Sequence, residues 1–385
     1  MTFSLTPVRG VDLIDREKEL DQLVSELSKP NSRIGFSITG IRRVGKTSIL
    51  YETKKRLEQK GIIVIYVSVW KTLPDTLDSF MTYLFDETIH AFERKLSLKM
   101  KMTELAKMGT ETLLSFLKHL KLSVEADDIV YTVSYVKGEE KDLAKATLHT
   151  FSLIDKLALK TKTKAVLIID EFPSMTELKI GKKMVGSPIV KTIRTINEDY
   201  KKTALVISGS FIHTMQAVAL SPNAPLYKQL INLEIKPLQK EAIADFIKKY
   251  LKKQPDQKTL EALFETTNGI PYNLQILGRE LDYLQIKNLE VGTIQKATQS
   301  LIAREGDLHF KEYLHLMQST EVKVAKIMAV FGVNGPKEIA DQANMQLNEV
   351  TSLLGSLMDK GIVERVDRGQ YAFTDSMFKV WLGQT

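Results

Sequence analysis

Nine consecutive residues, GIRRVGKTS from Gly40 to Ser48, have the types and spacing to hold a polyphosphate. The two glycines, Gly40 and Gly45, let backbone N–H groups turn toward phosphate oxygens. Lys46 reaches the β and γ phosphates, and the start of the following helix adds partial positive charge. Thr47 offers a hydroxyl to Mg²⁺, while Arg42, Arg43, Val44 and Ser48 complete the nucleotide-binding stretch. A second stretch, VLIIDE, ends an apolar run in Asp170 and Glu171. Asp170 can hold Mg²⁺ through water, since this ion favours hard oxygen ligands. Glu171 can polarise an attacking water. A third run, ALVISGS, ends in Ser208 and Ser210, which either sense the γ-phosphate and the lytic water or simply turn the chain. The catalytic candidates are thus Lys46, Glu171 and Ser210. The metal candidates are Thr47 and Asp170. ATP or ADP with Mg²⁺ is the expected ligand.

Arg42 and Arg43 occupy variable positions of the loop. Contacts to phosphate, to a neighbouring subunit, to DNA or to local carboxylates all stay open. Their place on a loop favours a structural or interface role over direct catalysis.

These residues need a parallel sheet to position them. RIGFSITG (Arg33–Gly40) reads as a strand, KTSILYETKKRLEQKG as a helix with Ile49, Leu50 and Leu57 on one face, and IIVIYVSV (Ile62–Val69) as a second strand. That is a βαβ unit. AVLIID, ALVISGS and LINLEI (Leu230–Ile235) supply further strands. Adjacent Asp-Glu points to the additional-strand (ASCE) class of P-loop ATPases, in which the strand carrying Asp170 is not beside the loop strand. An insertion at about 75–160 reads as mostly helical, with a β-hairpin formed by KLSVEA and DIVYTVSYV, whose residues are β-branched and alternate in polarity. After Pro237 the composition turns helical. The last segment reads as three helices and a short hairpin, a winged-helix pattern. The predicted divisions are an ATPase core over 1–238, a helical lid over 239–318 and a winged-helix domain over 319–385.

Composition narrows the classes. Without cysteine, disulfides and thiolate metal sites are excluded, which suits a reducing cytoplasm. The six histidines show no close pair at metal-ligand spacing. The start lacks a basic region followed by a long apolar run, so no signal peptide is expected. The apolar runs have strand length, so no membrane association is expected either. The formal net charge of +7 fits a lysine-rich solvated surface or an anionic partner.

Taken together, these stretches resemble the archaeal ATPase family, P-loop ATPases of AAA+ and STAND type with a C-terminal winged helix. LIDREKEL (Leu13–Leu20) resembles the family's adenine-capping opening, which implies nucleotide contacts from Asp15 and Arg16. GIRRVGKTS, LIIDEF and LVISGS look like the family's loop, acidic strand and sensor strand. NGIPYNLQ resembles the Gly-x-Pro lid motif, with Pro271 near the adenine. YAFTDSMFKVWL matches the family's C-terminal Asp…Phe…Trp signature. APLYKQL resembles a Pro-Leu-Tyr-Gly-Arg segment, with Lys228 and Gln229 in place of Gly-Arg. Tyr272 stands where many AAA+ lids carry arginine. Arg194, Arg279 or a neighbouring subunit remain as sources of a catalytic arginine.

Two functions follow as expectations. One is a Mg²⁺-dependent ATPase with slow basal turnover that acts as a conformational switch, with a protein partner or self-association. The other is an ATP-licensed DNA-binding protein of the origin-recognition type that uses its winged helix. Charge weighs against the second. From Thr320 onward seven basic residues face eight acidic ones, a net charge of −1.

Overall fold

The computed structural model describes residues 3–71, 76–96, 102–119, Leu122, 125–210 and 212–385. Its centre is a parallel five-stranded sheet. Strands β1 (Gly35–Thr39), β2 (Ile63–Ser68) and β3 (Ala165–Asp170) come first in the chain. A separate hairpin of β4 (Lys179–Ile180) and β5 (Lys183–Met184) follows, and then β6 (Thr203–Ser208) and β7 (Leu230–Glu234) complete the sheet. Their spatial order is β2-β3-β6-β1-β7. β6 therefore lies between the loop strand β1 and the acidic strand β3, as the adjacent Asp-Glu pair predicts. Register aligns the strand ends: Ser68 lies opposite Asp170, and Ile38 opposite Ser208.

Side chains alternate across the pleat. Phe36, Ile38, Val64, Val166, Ile168 and Val206 pack on one face under α1 (Glu17–Ser28) and α2 (Lys46–Gln59). Ile49, Leu50 and Leu57, the expected helix face, are all buried there. Ile65, Val67, Leu167, Ile169, Leu205 and Ile207 share a core on the other face with helices of the insertion and with α8. These are α3 (Leu77–Leu96), α4 (Met102–Leu105), α5 (Thr110–His119), α6 (Ala126–Val136), α7 (Leu143–Lys160) and α8 (Gly186–Asp199). The short α9 (Ile212–Met215) follows β6.

The expected β-hairpin of the insertion is corrected. Much of KLSVEA lies outside the described residues, and DIVYTVSYV is helical, within α6. Ile129, Thr132 and Val133 are buried while Asp127 is exposed, which is helical spacing rather than strand alternation. β-branching lowers helix propensity only slightly, and packing against α7 outweighs it. The Thr132 hydroxyl donates to the Asp128 carbonyl at 2.7 Å, bonding within the helix.

The segment expected to form a lid comprises α10 (Lys240–Leu251), α11 (Gln257–Thr267), α12 (Pro271–Tyr283) and α13 (Val291–His315). The C-terminal unit is α14 (Ser319–Phe331), α15 (Pro336–Ala343), α16 (Leu347–Asp359), the antiparallel hairpin β8 (Val363–Asp367) and β9 (Gln370–Phe373), and α17 (Ser376–Leu382). One core joins this unit to the lid, because Ile276, Leu301, Phe310 and Tyr313 pack with Phe378 and Trp381. Asp375 ties them further. Its carboxylate caps α17 and accepts from Asn273 at 2.8 Å and from the Tyr313 hydroxyl at 3.2 Å.

A strand would place residues 127 and 129 on one face, whereas the helix separates them. Ile129→Ala is expected to cost about 2–5 kcal/mol of stability, and Asp127→Ala less than about 0.5 kcal/mol. Urea unfolding of the two variants checks this, and equal losses contradict the helix.

Candidate nucleotide site

The loop after β1 wraps the start of α2. Gly45 is left-handed, with φ +102°, a conformation that costs a side chain energy. At Gly40 a Cβ would lie 2.4 Å from the Ile235 carbonyl oxygen, so only glycine lets the loop pass the end of β7. The Lys46 ammonium donates to the carbonyls of Gly40 at 3.0 Å and Ile41 at 2.9 Å. Burial pushes Lys46 down to about 8, against the opposing pull of Glu171 and Asp170.

Asp170 sits directly behind the loop. One carboxylate oxygen accepts from Thr47 Oγ1 at 2.9 Å and from the Tyr66 hydroxyl at 2.6 Å. The other accepts from the Ser208 hydroxyl and from the Glu171 amide, the latter at 3.1 Å. Glu171 is also left-handed, with φ +54°. That turn aims its buried carboxylate at Ser210, whose hydroxyl donates at 3.1 Å. Burial raises the Glu171 carboxyl above its ordinary value, and Lys46 opposes the shift. A buried carboxylate with raised basicity has the character of a general base.

A cavity of about 390 Å³ opens over this loop. Arg42, Arg43, Gly45, Lys46, Thr47, Ser48, Glu171, Ser210 and Pro271 line it, so the loop, the residues just after β3 and β6, and the start of α12 meet there. Gly40, Val44 and Asp170 stand behind the lining. Asp15 does not line the cavity either. Arg16 is a buried strut, donating to the carbonyls of Val44 at 3.3 Å and Lys236 at 2.8 Å. It fixes the loop to the end of β7 rather than touching the cavity. Arg194 donates to the Pro225 carbonyl at 2.9 Å and pairs with Glu198 at 3.1 Å. Arg279 pairs with Glu305. Neither arginine lines the cavity.

Several lining residues escaped the sequence reading. The segment Ser4–Val8 crosses the cavity, held by the Ser4 amide donating to Gln275 Oε1 at 3.0 Å. Trp70 and Glu312 also line it. Tyr66 had a readable signal, since a buried tyrosine hydroxyl in an aliphatic strand must find a partner.

The two loop arginines turn away from the sheet toward the lid. Arg43, at φ +65°, lies 4.2 Å from the Tyr272 ring, 5.4 Å from Tyr313 and 5.7 Å from Phe310. It donates to Glu312 at 2.8 Å and to the His309 carbonyl. Its Nη1 is buried and has no partner. Arg42 pairs with the same Glu312 at 3.6 Å and lies 5.8 Å from the Trp70 ring.

The residues fit a nucleotide carrying Mg²⁺. Thr47 and Asp170 offer oxygen donors only, and among the described residues no cluster of three acidic or histidine ligands exists to hold a metal alone. Such a sparse set suits an ion that keeps waters and phosphate oxygens. The cavity size is within the range of small-molecule sites.

Residues 13–277 match the ATPase domain found predominantly in Archaea. The chain belongs to this family. An uncharacterized ATP-binding protein of Methanocaldococcus jannaschii is 26% identical over 181 residues, 45% of this chain and 46% of that protein. The chain thus spans about half the length of the curated relative it matches. The Walker-type ATPase of Pyrococcus abyssi superposes over 99% of both chains, with a TM-score of 0.68 at 19% identity. The ORC2 protein of Aeropyrum pernix, solved with ADPNP and ADP, covers 97% of this chain and 94% of its own, at a TM-score of 0.58 and 13% identity. At those identities the likeness is one of fold, that of archaeal P-loop ATPases. Among the described residues no helix of this family member is long and apolar enough to cross a membrane.

Burial lowers Lys46 to about 8 in the free protein. A triphosphate restores its charge, so binding at that pH takes up a proton, and affinity falls as pH rises further. Calorimetry in buffers of different ionisation enthalpy should find this uptake in the parent and lose it in Lys46→Met. Equal uptake in both contradicts the assignment.

Proposed function

We propose that this protein is a Mg²⁺-dependent ATPase whose nucleotide state passes from the phosphate loop to the lid through Arg43. The observation that carries the reading is the clasp itself. A residue of the phosphate loop is bonded to helix α13, 269 residues away in the chain. A loop that reshapes around phosphate must disturb a side chain held by three rings and a carboxylate.

In this reading Lys46 and the loop amides hold the β and γ phosphates, and Thr47 with Asp170 holds Mg²⁺. Bound there, the ion neutralises developing phosphate charge. Tyr66 and Ser208 fix the Asp170 carboxylate, and Ser210 orients Glu171. Glu171 takes a proton from water, the water oxygen bonds to the γ-phosphorus, and the bond to the ADP oxygen breaks. The segment Ser4–Val8, Pro271 and Gln275 enclose the base. Basal turnover is slow, because Tyr272 and Gln229 replace arginines, while Arg194 and Arg279 are engaged elsewhere. A self-associated copy or a protein partner supplies the missing cation, worth roughly 10³–10⁵ in rate where used.

The proposed division is a core over 1–238, a lid over 239–318 and a winged-helix unit over 319–385, of STAND type. The last serves to pack or to dock protein. Its net charge of −1 disfavours the alternative, ATP-licensed DNA binding through this unit. α16, which would enter a groove, also runs alongside α9 of the core.

Glu171→Gln is expected to keep ATP affinity and lose about 10²–10⁴ in turnover, the usual contribution of a general base. Steady-state phosphate release with parallel calorimetry checks both halves. Undiminished release removes Glu171 from the mechanism.

A further inference from the structure

Arg42 and Arg43 are neighbours in the chain, yet they are held differently. Arg43 is bonded to Glu312 at 2.8 Å and packed among three rings of α12 and α13. Arg42 meets the same carboxylate at 3.6 Å, beyond hydrogen-bond length, and that carboxylate is half exposed. An ion pair of this kind holds weakly. The other side of Arg42 faces the reaction centre. Its guanidinium lies 5.8 Å from the Trp70 ring. Trp70 Nε1 donates to Ser174 Oγ at 2.9 Å, and the Ser174 amide donates to the Glu171 carbonyl at 3.0 Å. Trp70 is thereby fixed to the turn that carries Glu171, and Arg42 lies between that turn and Glu312.

Electrostatics agree with that placement. Burial dominates at Lys46 and at Glu171, lowering the ammonium and raising the carboxyl. The Arg42 charge adds to the fall at Lys46 and opposes the rise at Glu171. One guanidinium therefore acts on both the phosphate-binding lysine and the base. The charged residues lining the cavity are Arg42, Arg43 and Lys46 against Glu171 and Glu312. Of the two acids, Glu171 accepts from the Ser210 hydroxyl at 3.1 Å. Glu312 is the anion that an arriving triphosphate displaces from Arg42, because a polyphosphate carries more negative charge than one carboxylate.

We propose that Arg42 is a catalytic residue built into the phosphate loop: ATP draws it from Glu312 onto the γ-phosphate, and Glu312 restrains it until then. A guanidinium matches phosphate oxygens with paired N–H donors. Its charge meets the negative charge on the γ-phosphoryl oxygens as the bond to the ADP oxygen breaks. The two loop arginines then divide the work, Arg43 toward α12 and α13 and Arg42 toward the reaction. Arg42 contributes to basal turnover, before a second copy or a protein partner adds a cation of its own. The inference rests on the ATPase reading.

The test pairs binding with turnover in the full chain. Calorimetry follows ADP and Mg²⁺ with and without aluminium fluoride, which completes a mimic of the transferring phosphoryl group. Arg42→Ala should bind ADP within about threefold of the parent and the fluoride complex at least about tenfold more weakly, the direction expected of a transition-state cation. Arg42→Lys should recover part of that loss, since it keeps the charge without the fork. Glu312→Gln should raise turnover about two- to fivefold, the scale of a weak ion pair. That rise should vanish in an Arg42→Ala background and persist in an Arg43→Ala background, which separates release of Arg42 from loosening of α12 and α13. Thermal melts check that each variant is folded. Equal weakening of ADP and of the fluoride complex in Arg42→Ala overturns the proposal, because a merely structural arginine does that. No rise in Glu312→Gln, or a rise that needs Arg43 instead of Arg42, overturns it as well. Glu171-dependent turnover that Arg42→Ala leaves intact removes Arg42 alone, whereas turnover that ignores Glu171→Gln removes the ATPase reading with it.

Discussion

The Arg43 guanidinium is the most heavily engaged link between the phosphate loop and the helices after the sheet. Arg43 belongs to the phosphate loop, yet its contacts are the rings of Tyr272, Phe310 and Tyr313, the Glu312 carboxylate and the His309 carbonyl. A desolvated cation among aromatic faces is stabilised by up to about 2 kcal/mol, and the carboxylate adds a charge-assisted hydrogen bond. These contacts also offset a left-handed backbone at a non-glycine residue, a conformation that persists where surroundings over-determine it.

The surroundings of the clasp are stiff on both sides. On the core side Arg16 bonds the carbonyls of Val44 and Lys236, locking the loop to the sheet edge. On the lid side the Tyr272 hydroxyl meets His309 Nδ1 at 2.8 Å, and His309 Nε2 meets Glu305 at 3.2 Å. Burial holds His309 below its usual value, against the opposing pull of Glu305. Phe310 and Tyr313 then continue into the core shared with α17. A displacement of Arg43 has a contiguous packed route to the C-terminal unit, because close-packed interiors transmit strain.

The sheet and the loop were legible in the sequence because each local signal agreed with its neighbours. A glycine loop between an apolar strand and an amphipathic helix, and an acidic pair ending a second strand, leave little choice of fold. The segment around Ile129 was misread because β-branched residues carry a strand signal that tertiary packing overrides. The hairpin at 179–184 is too short for any periodicity to register. The partners of Arg43, and the cavity wall formed by Ser4–Val8, are joined only by tertiary contact across more than two hundred residues. An acid on a helix and the short mixed run SLTPV look like ordinary surface. The open status of the loop arginines in the sequence has a physical origin: the carboxylate that engages both of them is Glu312, which no local pattern identifies.

Hydrogen exchange of α12 and α13, with and without ATP, in the parent and in Arg43→Ala, tests the coupling most directly. The account predicts that ATP slows exchange across Tyr272–His315 in the parent. The variant should still bind ATP through Lys46 and the loop amides, yet leave exchange in these helices unaltered by the nucleotide. The same ATP-dependent protection in parent and variant would contradict it, and would mean that the lid senses the nucleotide by a route that does not pass through Arg43.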